Sequence, residues 1–221
     1  NRNHSFHLSS DITFDRKDGK ITNIFADINK LDIDYPLIKK AISSFLPQSS
    51  NNKFEGIGYI NFNGKVNYNV AQKAQITGIA KTLAGSLKTN IIYDNKKIRG
   101  NVLTTDFSPS QLLNKESLPH LVNIDLKGEF DLQQEDNPQL WTELLINELH
   151  HKHTTYSGIH ATSEWKNKRL QFQIDSKSPH LKFSAQGVGR FDGKRLSNFK
   201  STCNLTECNP KELNWTKRFS A

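Results

Sequence analysis

The sequence predicts an all-β protein, mainly antiparallel, with its strands in one long curved sheet and one or two short helices beside it. Three observations predict this. Apolar and polar residues alternate with a period of two through most of the chain, which gives each strand one dry face and one wet face. Short turn signals separate the alternating runs. The apolar share is low: with glycine counted and tyrosine left out it comes to about 38%, below the ~45–50% of ordinary globular domains. A sheet that is dry on one side needs fewer apolar residues than a sheet covered on both.

The elements follow in order. Phe6, Leu8, Ser10, Ile12 and Phe14 share one strand face, and Ile24, Ala26 and Ile28 share the next, with the hairpin signal Arg16-Lys-Asp-Gly19 between them. "DYPLIKKAISSFL" then breaks the pattern. Leu37, Ile38, Ala41, Ile42 and Phe45 stand at helical spacing, Pro36 sits near the start and Pro47 follows the end, so a helical insertion is expected over 35–46. "FEGIGYINFNGKVNYNV" returns to alternation for 17 residues, Phe54 to Val70, with Phe54, Ile60, Phe62, Val66 and Tyr68 on the apolar side. Strands usually run about 3–10 residues.

Alternation continues through Ile76, Gly78 and Ala80, then Leu83 to Tyr93, and after the turn Asp94-Asn-Lys-Lys97 it reaches "SPSQLLN". There Ser108 suits a helix N-cap and Pro109 the first helical position. Val122, Ile124, Leu126, Gly128 and Phe130 form the next apolar face. The segment 138–153 reads two ways. Asn137-Pro138 resembles a helix start with Leu140, Leu144 and Leu145 on one side, while Leu144-Leu-Ile146 equally suits a strand. Beyond the turn Trp165-Lys-Asn-Lys168 come Leu170, Phe172 and Ile174, then Leu181, Phe183, Ala185, Gly187, Gly189 and Phe191. The turn Asp192-Gly-Lys194 leads to a last set, Phe199, Cys203 and Leu205. That makes about ten strands joined by short turns, an antiparallel meander. Glycines inside the strand patterns mark bends and close backbone approaches, so the sheet is expected to curve, apolar inside and polar outside.

The charge of +8 permits an anionic partner, but Lys and Arg are scattered singly or in pairs. The aromatics alternate on the apolar face and do not stand among the lysines, which argues against nucleic-acid binding. No G-x-S-x-G, no H-E-x-x-H and no acid–base pair of carboxylates is present, so no catalytic residues and no enzyme activity are expected. His150, His151 and His153 lack a completing ligand at a known spacing and read as solvated side chains, so neither metal nor cofactor is expected. Cys203 and Cys208 are near enough in sequence to bridge if the chain turns between them, whereas on one extended strand five positions apart they do not reach; because Phe199, Cys203 and Leu205 share one strand face, no bridge is expected. No run approaches the ~18 apolar residues of a membrane span. A chain that opens on Asn1 and contains no methionine reads as a piece or processed form of something longer.

"GIGYINFNGKV", "TLAGSLKTNIIYDNKKIRGNVLTTDFSPSQLLN" and "VNIDLKGEFDL" together resemble the TamB/AsmA-like translocation and assembly module proteins, in particular the large envelope proteins of the Bacteroidetes type. Thr82, Gly85, Leu87, Tyr93, Gly100, Leu103, Thr105, Phe107, Leu112 and Leu113 stand where that family has its T-x-x-G-x-L and G-x-L-x-T-x-x-F runs. Tyr156, Leu170, Phe172, Ile174, Leu181, Phe183, Gly187 and Phe191 occupy the places of its next unit. The resemblance spans roughly 54–215 and departs from the family between Trp141 and His153, where another clean strand is usual.

The resemblance implies a half-open, taco-like apolar groove, and 1–221 as a single elongated segment of it. It implies a place in the periplasm, with an inner-membrane anchor supplied by a segment outside this chain. The expected partners are phospholipid or other acyl chains, outer-membrane assembly proteins, and the rest of a longer chain, with no nucleic acid. Phe54, Ile60, Phe62, Val66, Tyr68, Val122, Ile124, Leu126, Phe130, Leu170, Phe172, Ile174, Leu181, Phe183 and Phe191 would line the groove. A tail of ~16 carbons costs on the order of 12 kcal/mol to leave in water, at about 0.8 kcal/mol per methylene. A carrier must therefore keep a dry surface continuous along the path. The alternative architecture is a closed barrel or sandwich in which the same face is an ordinary core, serving as a binding or structural module of the envelope.

Overall fold

A computed structural model of the chain describes residues 6–42, 55–71, 73–133, 138–192 and 195–209. Twelve strands lie in one sheet in strict chain order. They are β1 (Phe6–Lys17), β2 (Lys20–Asp34), β3 (Tyr59–Asn69), β4 (Lys73–Thr82), β5 (Gly85–Asp94), β6 (Lys97–Thr105), β7 (Leu121–Asp131), β8 (Gln139–His151), β9 (Thr154–Lys166), β10 (Arg169–Ser178), β11 (Leu181–Asp192) and β12 (Arg195–Cys208). Every neighbouring pair is antiparallel. The sheet is open and does not roll closed: β1 and β12 are its edges and pair on one side only. The all-β, antiparallel class with two short helices is thus the observed one. A closed barrel or sandwich is not what the described residues form.

The two ends of the sheet differ. At one end the strands join by tight hairpins. Asp18-Gly19, Asn95-Lys96 and Asn167-Lys168 all take positive φ, as the primed turns that match strand twist require. The signal at Asp192-Gly-Lys194 reaches outside the described residues, since 193 and 194 are not among them. The other end carries both helices. There α1 (Tyr35–Ile42) follows β2, and α2 (Pro109–Leu112) lies between β6 and β7 with Ser108 as its N-cap, accepting from the Gln111 amide at 3.3 Å. The expected helix over 35–46 is therefore seen as far as Ile42, and 43–54 lie outside the described residues.

Backbone bonds bind this helix end into a cap. The Tyr35 amide donates to the Gly58 carbonyl (2.9 Å), Leu83 to Ile57 (3.1 Å) and Ser108 to Ala84 (2.6 Å). Here sit the buried apolar side chains of the described residues: Tyr35, Ile38 and Ala84.

One expectation needs correction, and one open reading is decided. The run from Phe54 to Val70 is not one 17-residue strand. Glu55–Ile57 form a 3₁₀ turn, Gly58 has φ +65°, and β3 starts at Tyr59. A Cβ at Gly56 would collide with the Gln111 carbonyl, so this glycine serves the docking of the 3₁₀ turn on α2 and not a strand face. The ambiguous segment 138–153 is strand β8, paired with β7 and β9 on both sides, with a bulge at Asn147.

Candidate apolar binding face

Cross-strand partners in an antiparallel sheet share a face, so the register decides which side chains stand together. Phe62 pairs with Ala80, Ala80 with Leu87 and Leu87 with Thr104. Val102, two residues from Thr104 on β6, pairs with Leu126; Leu126 pairs with Leu144, Leu144 with Ala161, Ala161 with Ile174 and Ile174 with Ala185. Followed this way, fourteen of the fifteen sequence-predicted lining residues fall on one face of the sheet: Ile60, Phe62, Val66, Tyr68, Val122, Ile124, Leu126, Phe130, Leu170, Phe172, Ile174, Leu181, Phe183 and Phe191. Phe54 lies outside the described residues.

One row of this face crosses all twelve strands. It runs Phe14, Ile24, Tyr68, Ala74, Tyr93, Ile98, Phe130, Leu140, Trp165, Leu170, Gly189, Phe199. With about 4.8 Å between strands, its eleven gaps span roughly 50 Å. Leu140 and Trp165 were missed in the sequence. Leu140 lay in the segment whose period was ambiguous, and Trp165 stood next to a turn signal. The alternation Ile159, Ala161, Ser163, Trp165 carried the information, but its small and polar members concealed it.

None of the fourteen is fully buried: thirteen are half-buried and Tyr68 is exposed. A closed core would shield such residues almost completely. Glycines and aromatics shape the surface together. The Phe62 ring lies across the paired Gly64 and Gly78, close enough that a Cβ on either would meet it at 2.6–2.7 Å, and the Phe172 ring covers its partner Gly187 in the same way at 2.5 Å. Such rings fill the gaps that glycine leaves in a strand. Phe172 also stacks on Phe199 (centroids 6.1 Å, 13° between planes), and Trp165 tilts against Phe191 (4.9 Å, 59°).

The opposite face is a lattice of cross-strand ion pairs and amide bonds. Lys65–Asp27 (3.2 Å), Lys73–Asp94 (3.1 Å), Lys97–Asp131 (2.8 Å) and Lys127–Glu143 (3.6 Å) each join directly paired residues. The ammonium of Lys97 beside Asp131 holds that carboxyl below its ordinary range and is itself raised in return. His160 and, after it, Lys127 act likewise on Glu143, and Lys30 with Asn61 on Asp32. His150 pairs with Glu148 at 2.7 Å. Among the described residues no three His, Cys, Asp or Glu side chains gather as metal ligands do. Cys203 and Cys208 are free thiols on β12.

The face therefore offers contact that is mainly apolar and non-directional; among the described residues its polar members are hydroxyls such as Thr89, Thr142, Ser163 and Ser201, and Thr142 and Ser163 bond each other (2.8 Å). No protein-family model matches the chain, and no curated protein or solved structure matches it either.

Proposed function

We propose that this chain is a segment of an envelope lipid-transport or outer-membrane assembly protein that shields acyl chains on its apolar sheet face. The observation that carries the reading is a continuous apolar face across twelve strands with no second layer over it among the described residues. A sheet's apolar side must be covered by something. Because hydrophobic contact is non-directional, an acyl chain can be held there and still slide from row to row. The aromatic rings over the glycines keep that surface smooth. The resemblance of 54–215 to TamB/AsmA-like proteins points to the same use, with a periplasmic setting and a tethered parent chain. On this reading the protein is a carrier surface and performs no chemistry.

The test is extraction. Protein purified from membrane-containing cells is washed, extracted with organic solvent and examined by mass spectrometry. Phospholipid in stoichiometric amount, lost when Phe62 and Phe172 are replaced by Asp, is the expected result. Lipid-free protein from repeated preparations would contradict the reading and favour a protein layer as the cover.

A further inference from the structure

The polar face carries two shallow depressions of equal volume, about 550 Å³ each, and they differ in one respect. The depression over β1–β4 is crossed by internal bonds: Lys65 with Asp27 (3.2 Å), and Thr77 donating to Asn90 (3.1 Å). The one over β8–β12 is lined mainly by side chains that bond nothing else in the described protein. Thr162, Gln171, Gln186 and Thr202 line it across β9 to β12, and the exposed indole of Trp141, with 43% of its surface accessible, stands at its β8 end, on the side away from the apolar face. Glu164 and Lys200, one charge of each sign, complete it.

We infer that this β8–β12 depression is a binding site for a neutral oligosaccharide. A sugar ring offers C–H faces that pack on an aromatic plane and hydroxyls that both donate and accept. Glutamine amides and threonine hydroxyls also do both. A polyanion would need clustered cations; within this lining the two charges cancel, and the cations Lys166 and Arg169 line the adjoining hollow instead. An apolar ligand would strip water from the amides without replacing their hydrogen bonds. The volume falls within the roughly 300–1,000 Å³ of ordinary ligand sites. Four interstrand gaps of about 4.8 Å give roughly 19 Å of length, enough for a short linear glycan. The site lies on the face opposite the acyl-chain surface and stands or falls independently of that reading.

The sugar could come from a free glycan or from a glycolipid headgroup, and both sources are tested. Intrinsic tryptophan emission and ligand-observed NMR are followed as the full chain is titrated with maltohexaose, xylohexaose and chitohexaose. The same is done with phosphatidylcholine vesicles with and without digalactosyldiacylglycerol. Saturable binding of at least one free sugar is expected for a glycan source, and binding to the galactolipid vesicles alone for a headgroup. In either case Trp141→Ala should weaken it roughly tenfold or more and Gln171→Ala less, as for an aromatic anchor and a polar group beside the bound ligand. Phe25→Ala, in the other depression, should leave it unchanged. Circular dichroism confirms that the variants are folded. Absence of saturable binding to every probe, or equal binding by Trp141→Ala, would overturn the inference.

Discussion

At the helix end, Tyr35, Ile38 and Ala84 retain 8%, 9% and 1% of their surface, whereas Phe14, Tyr68 and Phe199 on the apolar row retain 51%, 45% and 49%. The same kinds of residue are thus a core in one region and a surface in the other. At the cap, backbone bonds from three loops converge and side chains are packed from several directions. On the sheet, each side chain has neighbours beside it, along its strand and across the ladder, and no second layer lies above it among the described residues. The difference separates apolar residues that hold the fold together from apolar residues that are available to something else. It also sets where substitutions should unfold the protein and where they should spare the fold and change only what it binds.

The largest effect is expected at the cap. Ala84→Asp would place an unpaired carboxylate where almost no surface is left, at a cost of about 3–5 kcal/mol. Urea unfolding should show a large fall in midpoint, and an unchanged midpoint would mean the cap is not a core. Next come the glycines under the rings. Gly64→Ala drives a Cβ into the Thr77 carbonyl, which cannot move without breaking a ladder, and should cost ~1–3 kcal/mol, as overpacking does. Gly187→Ala meets the far edge of the Phe172 ring most closely and the Lys200 carbonyl only at 3.1 Å, much farther than the Thr77 carbonyl at Gly64, so its thermal shift should be smaller.

Smaller again in stability, though not in function, are Phe62→Asp and Phe172→Asp. A half-buried ring gives up on the order of 1 kcal/mol, about half of what full burial provides. The new carboxylate stays hydrated on an open face. Both variants should melt near the parent and lose lipid, because a tail passing there would leave the charge poorly solvated. Unfolding of either would mean that the face is a closed core.

The smallest effect is electrostatic and lies on the polar side. Asp131 titrates below its ordinary range because of Lys97, so its contribution to stability is present above the unfolded carboxylate range and is lost as pH falls through the folded value. Lys97→Met should return Asp131 upward in an NMR titration and leave acyl-chain binding unchanged, since the two lie on opposite faces.

Most strands were legible because period two survives wherever one side is dry and the other wet. Phe62, Leu126, Phe172 and Phe183 needed nothing more. The start of β3 was not legible. Gly56 and Gly58 keep the alternating beat, and only their contacts with α2 and with Leu83 show that the chain is turning there. β8 was ambiguous for another reason. Leu145 is apolar but sits on the polar side, opposite Asp125 and His160, and its presence beside Leu144 and Ile146 imitates a helical face. Flanking strands settled what local pattern did not. The apolar face itself was readable residue by residue. Its continuity across twelve strands was not, because continuity is a property of register and sequence alone does not state which residue lies opposite which.

The central claim concerns a face, so the most direct measurement compares faces. A photoreactive phenylalanine analogue is placed at Phe62, Leu126 and Phe172 on the apolar side, and at their chain neighbours Asn63, Lys127 and Gln173 on the polar side. Each protein is irradiated in cells and its covalent adducts are identified by mass spectrometry. Acyl-lipid adducts at the first three positions and not at the second three are predicted. Lipid adducts equally on both sides, or protein adducts alone at Phe62, Leu126 and Phe172, would contradict the account.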